Sequence, residues 1–228
     1  MNAPRAVRAL GAAAALGACL VPLAASRSVR AQAGRTGVRD SAGADSAARA
    51  QRAGLIPAGY GSLRQDDIAL TVQILGLTVK AFPLEESVIR TLAPDSYRTL
   101  RAMREDKAKA LEETRVRLGL PSVQAWYVAF SNLEQGEARY DPSDLLIRSV
   151  GRDFRPLRWL PLRAGFGDGR LLQRAMQNAV YAFDPAIDLN QPLVVTIGTQ
   201  QSAAWGEVLQ RIERERSLVW SRAAAGKP

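Results

Sequence analysis

Seven arginines between positions 148 and 174 are the residues whose type and spacing most suggest a chemical task. Arg148, Arg152, Arg155, Arg158, Arg163, Arg170 and Arg174 face only Asp153 and Asp168, and Phe154, Trp159 and Phe166 lie among them. Guanidinium forks grip carboxylates, phosphates and sulfates bidentately, and aromatic faces attract cations. The stretch therefore reads as a binding region for an anionic polymer or an acidic protein surface, with Trp159 as its aromatic member. A plainer use competes with that one. Arginines scattered along a sheet edge discourage edge-to-edge pairing. Arg155 and Arg158 are three apart on one expected strand, so their side chains leave from opposite faces and one continuous patch is not guaranteed.

Catalytic chemistry has little to work with. The chain contains no histidine, which removes the commonest general base and the commonest metal ligand together. Ser-His-Asp and Cys-His arrangements cannot be assembled, and ordinary zinc sites lack their ligands. The close carboxylate pairs are Asp66-Asp67, Glu85-Glu86, Glu112-Glu113 and Asp141 with Asp144. Neighbours on a strand point to opposite faces, and neighbours on a helix lie about 100° apart, so adjacency builds no shared acid–base site. Asp184, Asp188 and Asn190 bring oxygen ligands together without the spacing of a calcium loop, beside prolines that mark turns. Gly165-Phe166-Gly167-Asp168-Gly169 lacks the lysine and hydroxyl of a phosphate loop. No catalytic residue, metal ligand set or cofactor is assigned.

The elements that must position the arginines follow from periodicity. Ile68, Leu70, Val72 and Ile74 alternate with polar positions, and Leu77, Val79 and Ala81 resume the pattern beyond Gly76. This predicts one long strand bent at Gly76, or two short ones. Leu84–Leu92 predicts two helical turns, and Asp95–Leu118 one helix stopped by Gly119, with Glu105 and Lys109 as an acid-before-base pair. Val123–Phe130 reads as a central strand, Leu145–Val150 and Phe154–Leu160 as a hairpin turned by Gly151-Arg152-Asp153, and Ala179–Phe183 and Leu193–Ile197 as two more strands. Pro156 and Pro161 make the second hairpin strand an edge. Trp205, Val208, Leu209, Ile212 and Val219 recur at helical spacing from Ala203 to Arg222, with Ser202 as the expected N-cap.

The start of the chain is an address. Arg5 and Arg8 precede an apolar run from Ala9 to Ala25, no acidic residue occurs before Asp40, and Ala31-Gln32-Ala33 offers a small-x-small cleavage site. Residues 1–33 therefore read as a signal peptide, 34–63 as a flexible leader poor in large apolar residues, 64–222 as one domain, and 223–228 as a disordered tail. The expected destination is outside the cytoplasm, periplasmic or extracellular. Leu16-Gly17-Ala18-Cys19 resembles the lipobox of bacterial lipoproteins, so Cys19 offers an alternative, lipid-anchored product and the only expected route to a membrane. Loss of Arg5, Arg8, Arg27 and Arg30 lowers the formal net charge from +9 to +5, too weak and mixed to imply a specific nucleic-acid partner. Without Cys19 the product has no cysteine, so packing rather than disulfides must hold it.

The strand Trp126–Phe130, the hairpin around Gly151-Arg152-Asp153-Phe154-Arg155-Pro156, the Tyr181-Ala182-Phe183 strand and the Leu193–Ile197 strand together resemble the exported immunoglobulin-like β-sandwich domains of bacteria. The resemblance covers residues 123–197 and implies a non-catalytic binding or scaffold module of the cell envelope. The expected fold is mostly β (α+β), an immunoglobulin-like β-sandwich with an inserted helix near 84–118 and a C-terminal helix near 203–222. The expected function is binding of another envelope protein or an anionic surface polymer through the Arg148–Arg174 region. Two alternatives remain: a carboxylate-dependent hydrolase acting on a cell-wall polymer, and a structural assembly partner using the apolar face of the C-terminal helix.

Overall fold

Aliphatic residues at every second position make the first two strands. β1 (Leu70–Ile74) and β2 (Leu77–Pro83) run antiparallel, with Leu70 opposite Ala81 and Ile74 opposite Leu77. Of the two readings, two short strands is the one observed. Gly76 sits in the turn at φ +80°, where a side chain would be strained, and not in a bulge. The computed structural model describes residues 55–226 except Leu75. The expected signal peptide, Cys19 and the first part of the leader lie outside the described residues.

β3 (Gln124–Asn132) pairs with β2, and β9 (Met176–Phe183) pairs with β3. β7 (Arg158–Pro161) forms the far edge, giving the order β1-β2-β3-β9-β7. A second antiparallel sheet contains β5 (Leu145–Ser149), β6 (Arg152–Phe154), β10 (Leu193–Ile197) and β11 (Gln200–Ser202), in the order β11-β10-β5-β6. Two short strands, β4 (Ala138–Arg139) and β8 (Arg170–Leu171), pair separately. Inward residues of both large sheets share one core: Val72, Val79, Trp126 and Tyr181 from the first, Leu145, Ile147, Leu193 and Val195 from the second. The architecture is thus mostly antiparallel β in a sandwich-like arrangement. The Tyr181 hydroxyl donates to Pro142 O at 3.1 Å, and burial pushes its phenol far up, so it stays a neutral donor.

The expected strand Phe154–Leu160 is divided. β6 ends at Phe154 on the edge of one sheet, and β7 begins at Arg158 on the edge of the other. Pro156 lies between them, where its missing N–H would break any ladder. The helical insertion also differs from expectation. Only Glu86–Ile89 (α2, after a first one-turn helix α1 at Gln65–Ile68) is helical in the first stretch. The long helix is interrupted at Lys107 into α3 (Pro94–Asp106) and α4 (Ala108–Leu118). Each half meets a different neighbour. Arg104 of α3 lies 3.7 Å from Glu85, beside α2, while α4 takes Arg158 of β7 on its Ala110 carbonyl at 3.4 Å. With the helix interrupted between them, Glu105 pairs with Arg101 rather than Lys109.

The chain ends in α5 (Trp205–Ala224), which buries Trp205, Val208, Ile212 and Val219, worth roughly 1.5–3 kcal/mol each. Ala204 is the N-cap, and Ser202 is instead the last residue of β11. The helix continues to Ala224, so residues 223 and 224 of the expected tail belong to it and Ala225 and Gly226 turn away after it. Polar bonds tie its other turns to the N-terminal half. Arg211 donates to Asp67 O at 2.5 Å, Arg216 to Ser87 O at 2.8 Å and Arg222 to Tyr60 O at 2.8 Å. The Glu215 side chain is 5% exposed, and its Oε1 accepts from Ser62 N, Ser62 Oγ and Arg222 Nη1 at 2.8, 3.0 and 2.5 Å.

These bonds correct the expected leader boundary. Residues 55–63 pack on the body: Ile56 is buried, and Leu63 exchanges backbone bonds with Thr91 and Ala93 at 3.1 and 2.9 Å. Gly61 is required there, because a Cβ would meet the Thr91 backbone at 2.3 Å. Removing the Glu215 carboxylate leaves Arg222 and Ser62 without their shared acceptor. Glu215→Ala should cost about 3 kcal/mol, whereas the exposed pair tested by Glu105→Ala should cost less than about 1 kcal/mol. Paired thermal or urea denaturation curves measure the difference, and equal losses would refute the assignment.

Candidate binding surfaces

The β5–β6 hairpin turns through Val150 and Gly151, since Ser149 lies opposite Arg152. Its turn is thus one residue earlier than the sequence suggested. Both turn residues adopt positive φ, +49° at Val150 and +72° at Gly151, as a tight two-residue hairpin requires. Asparagine and glycine suit those positions. A β-branched valine does not, and left-handed backbone at such a residue costs of order 1–3 kcal/mol. Val150 is also 69% exposed, so no intramolecular packing offsets the strain.

Three of the seven arginines gather around this hairpin. Arg148 and Asp153 lie directly opposite on its outward face, where Nε and Nη2 donate to the two carboxylate oxygens at 2.6 and 3.1 Å. The Arg148 hydrogen bond, with a smaller contribution from the nearby Arg155 charge, holds the Asp153 carboxyl below its ordinary range. Arg152 leaves the other face and sets its guanidinium 5.3 Å from the Phe154 ring centre. Arg155 follows β6, exposed. The hairpin therefore presents three cations against one aspartate, flanking a strained aliphatic tip.

The other four arginines go elsewhere. Arg158 turns onto α4, within 3.4 Å of Thr114 Oγ1 and 3.8 Å of Glu113. Trp159 leaves the opposite face of β7, with its ring 6.4 Å from Tyr181, and is 38% exposed. Arg163 lies in the exposed loop after β7, and Arg170 lies on β8 with Glu137 at 3.9 Å. Arg174, at φ +59°, uses its backbone N–H to bond Asn132 O at 2.7 Å. The strand break at Pro156 thus puts Arg148 and Arg152 on one sheet and Arg158 on the other, while Arg170 lies on the separate β4–β8 pair and Arg163 and Arg174 lie in loops.

Most of the carboxylates raised by the hydrolase alternative are held by separate partners. Asp66 binds Lys80 and Asp67 binds the Arg64 N–H, while Glu86 binds Arg90 and Glu112 binds Arg115. Asp141 caps Ser143 N, and its hydrogen bonds hold the carboxyl low. Asp184 and Asp188 each accept the backbone N–H two residues on, which is the work of turn formers. The apolar face of α5 offered for assembly is buried within the chain, leaving Leu218 and Trp220 exposed.

Sequence reasoning missed a cleft of about 340 Å³ where the loop 184–190 meets α2 and α5. Ser87, Gln124, Asp188, Asn190 and Arg216 supply its polar wall and Leu209 an aliphatic one. The aspartates and asparagine of that loop were visible in the sequence, but Arg216 and Ser87 join them only through tertiary folding. Compared with protein-family models, curated proteins and solved structures, the chain matches none.

Val150→Asn should relieve the left-handed strain and raise stability by about 1 kcal/mol. A denaturant midpoint unchanged or lowered in that variant would show that the turn is not strained.

Proposed function

We propose that this chain is an exported, non-catalytic envelope protein that binds an anionic surface polymer, or the acidic face of another envelope protein, through the β5–β6 hairpin. The observation that carries this reading is the grouping of Arg148, Arg152 and Arg155 against Asp153 alone, around a tip where exposed Val150 occupies a strained backbone position. Strain of that kind persists where a residue serves something other than stability. Export rests on the cationic, apolar and small-residue order of positions 1–33. Cys19 keeps a lipid-anchored form as the alternative. No described helix is long and apolar enough to cross a membrane.

The immunoglobulin-like reading of the sandwich is part of the same proposal. Two antiparallel sheets over a shared core, with buried Trp126 on a central strand, support it. In such architectures the rigid sheets carry recognition on their connections, which suits a projecting hairpin.

Arg152→Glu with Arg155→Glu should weaken binding to heparin, used as a soluble anionic polymer, about tenfold at low salt. Arg158→Glu should leave retention nearly unchanged and lower stability instead, because its guanidinium sits on α4. Equal retention of all three proteins on the column would remove this function. With no histidine in the chain and Asp153 held low by Arg148, heparin affinity should also stay flat between about pH 5 and pH 8.

A further inference from the structure

The loop between β7 and β8 holds the one aspartate of the chain that glycine follows, Asp168-Gly169. A five-membered ring closes when the nitrogen after an aspartate attacks that aspartate's side-chain carbonyl carbon, and a side chain on the following residue shields the nitrogen. Gly169 has none. Asp168 is exposed, and among the described residues its carboxylate joins no hydrogen bond or ion pair; it lies beside Gly165, where a Cβ would stand 3.3 Å from Oδ2. Gly169 gives its carbonyl to Tyr140 N at 3.1 Å, while its own N–H makes no backbone bond among the described residues. Both reacting groups are therefore unspent, on a loop outside the ladders and helices that hold such groups still.

The other described aspartates lack this combination. Asp66, Asp67, Asp95 and Asp106 lie in helices, and Asp153 lies in a strand gripped by Arg148. Asp141 and Asp184 precede prolines, whose nitrogen has no proton to release. Asp144 and Asp188 precede leucines, whose side chains crowd the nitrogen.

We propose that Asp168-Gly169 is a self-modification site, where the backbone rearranges through a succinimide to isoaspartate and unlocks the loop 165–169. Gly169 N bonds to Asp168 Cγ, and the amide proton leaves with the carboxyl hydroxyl as water. Water then opens the ring at either carbonyl. Attack at Cγ restores aspartate; attack at the main-chain carbonyl of Asp168 frees it as a carboxylate and leaves the chain running through Cβ and Cγ. The backbone is then longer by one methylene, directly beside the Gly169 O bond to Tyr140 N and the Gly167 N bond to Tyr140 Oη at 3.0 Å. Those bonds hold Phe166, whose ring lies 6.0, 6.1 and 6.2 Å from those of Phe130, Tyr140 and Tyr181. The other end of the β4–β8 pair stays tied, because Asn132 Nδ2 donates to Gly136 O and Leu171 O at 2.9 and 3.1 Å. The site is independent of the hairpin and of its anionic partner.

The test keeps the folded chain for weeks at neutral pH in water enriched in heavy oxygen, then maps its peptides by mass spectrometry. Isoaspartate at position 168 should exceed that at every other described aspartate at least about tenfold, with one labelled oxygen entering per ring opening. Asp168→Glu, whose ring would be six-membered, should slow conversion more than about tenfold, and Asp168→Asn should convert faster with release of ammonia. In the converted protein, hydrogen exchange should quicken at the amides of Tyr140 and Gly167 and stay unchanged along β3. The proposal is overturned if position 168 gains no label, gains it only after denaturation, or converts equally fast in Asp168→Glu. Unchanged exchange at Tyr140 and Gly167 after conversion would overturn the unlocking.

Discussion

The Glu215 carboxylate holds the two ends of this domain together. It is buried in the last helix and receives two donors from Ser62 and one from Arg222, so a charge that would be costly to desolvate becomes the anchor of an extended segment. Arg211, Arg216 and Arg222 bond carbonyls 144, 129 and 162 residues away in sequence. Contacts of such range tie distant parts of the folded chain together where, among the described residues, there is no cysteine to form a disulfide. Without these bonds, residues 55–63 would be held by the burial of Ile56, the Arg90 bond to its carbonyl at 3.1 Å and the Leu63 backbone pairs.

The same helix also packs on the aromatic residues of the first sheet. Trp205 at the start of α5 packs 6.2 Å from Trp126, whose ring meets Phe183, which in turn stacks with Tyr181. Aromatic pairs at such separations contribute beyond the area they bury. The helix therefore belongs to the core, and its apolar face is spent internally. The edges are guarded as well: Pro161 closes β7, and β6 is only three residues long. The β5–β6 turn projects with neither burial nor favourable backbone to account for Val150.

Strong local periodicity was legible in the sequence. The alternation of β1, β2 and β10, the aromatic and β-branched run of β3, and the 3.6-residue spacing of α5 all produced the elements they imply, because burial of one face dominates each choice. What stayed hidden depended on distant partners. Pro156 signalled an edge, but nothing local says that the strands on its two sides join different sheets. The interruption at Lys107 has neither proline nor glycine, and only the separate neighbours of α3 and α4 accompany it. Gly61 falls within the stretch read as a flexible leader. In the fold it is where the backbone passes too close to Thr91 for any side chain.

Arginine shows the same division most clearly. Local density suggested a binding region, yet identical side chains serve opposite purposes here. On α5 they reach backbone carbonyls and are half-buried; on the hairpin they stand exposed around one aspartate. A guanidinium offers five donors on a long apolar stem, so it can bridge a helix to a carbonyl or wait in solvent for an anion with equal chemical ease. Composition cannot separate those uses; burial and partner do. The strain at Val150, of order 1–3 kcal/mol, is tolerable only because the long-range bonds of α5 and the shared aromatic core supply stability elsewhere. That imbalance, an over-secured core beneath an under-secured tip, is the physical reason to look for recognition at the hairpin rather than along the arginines that follow it.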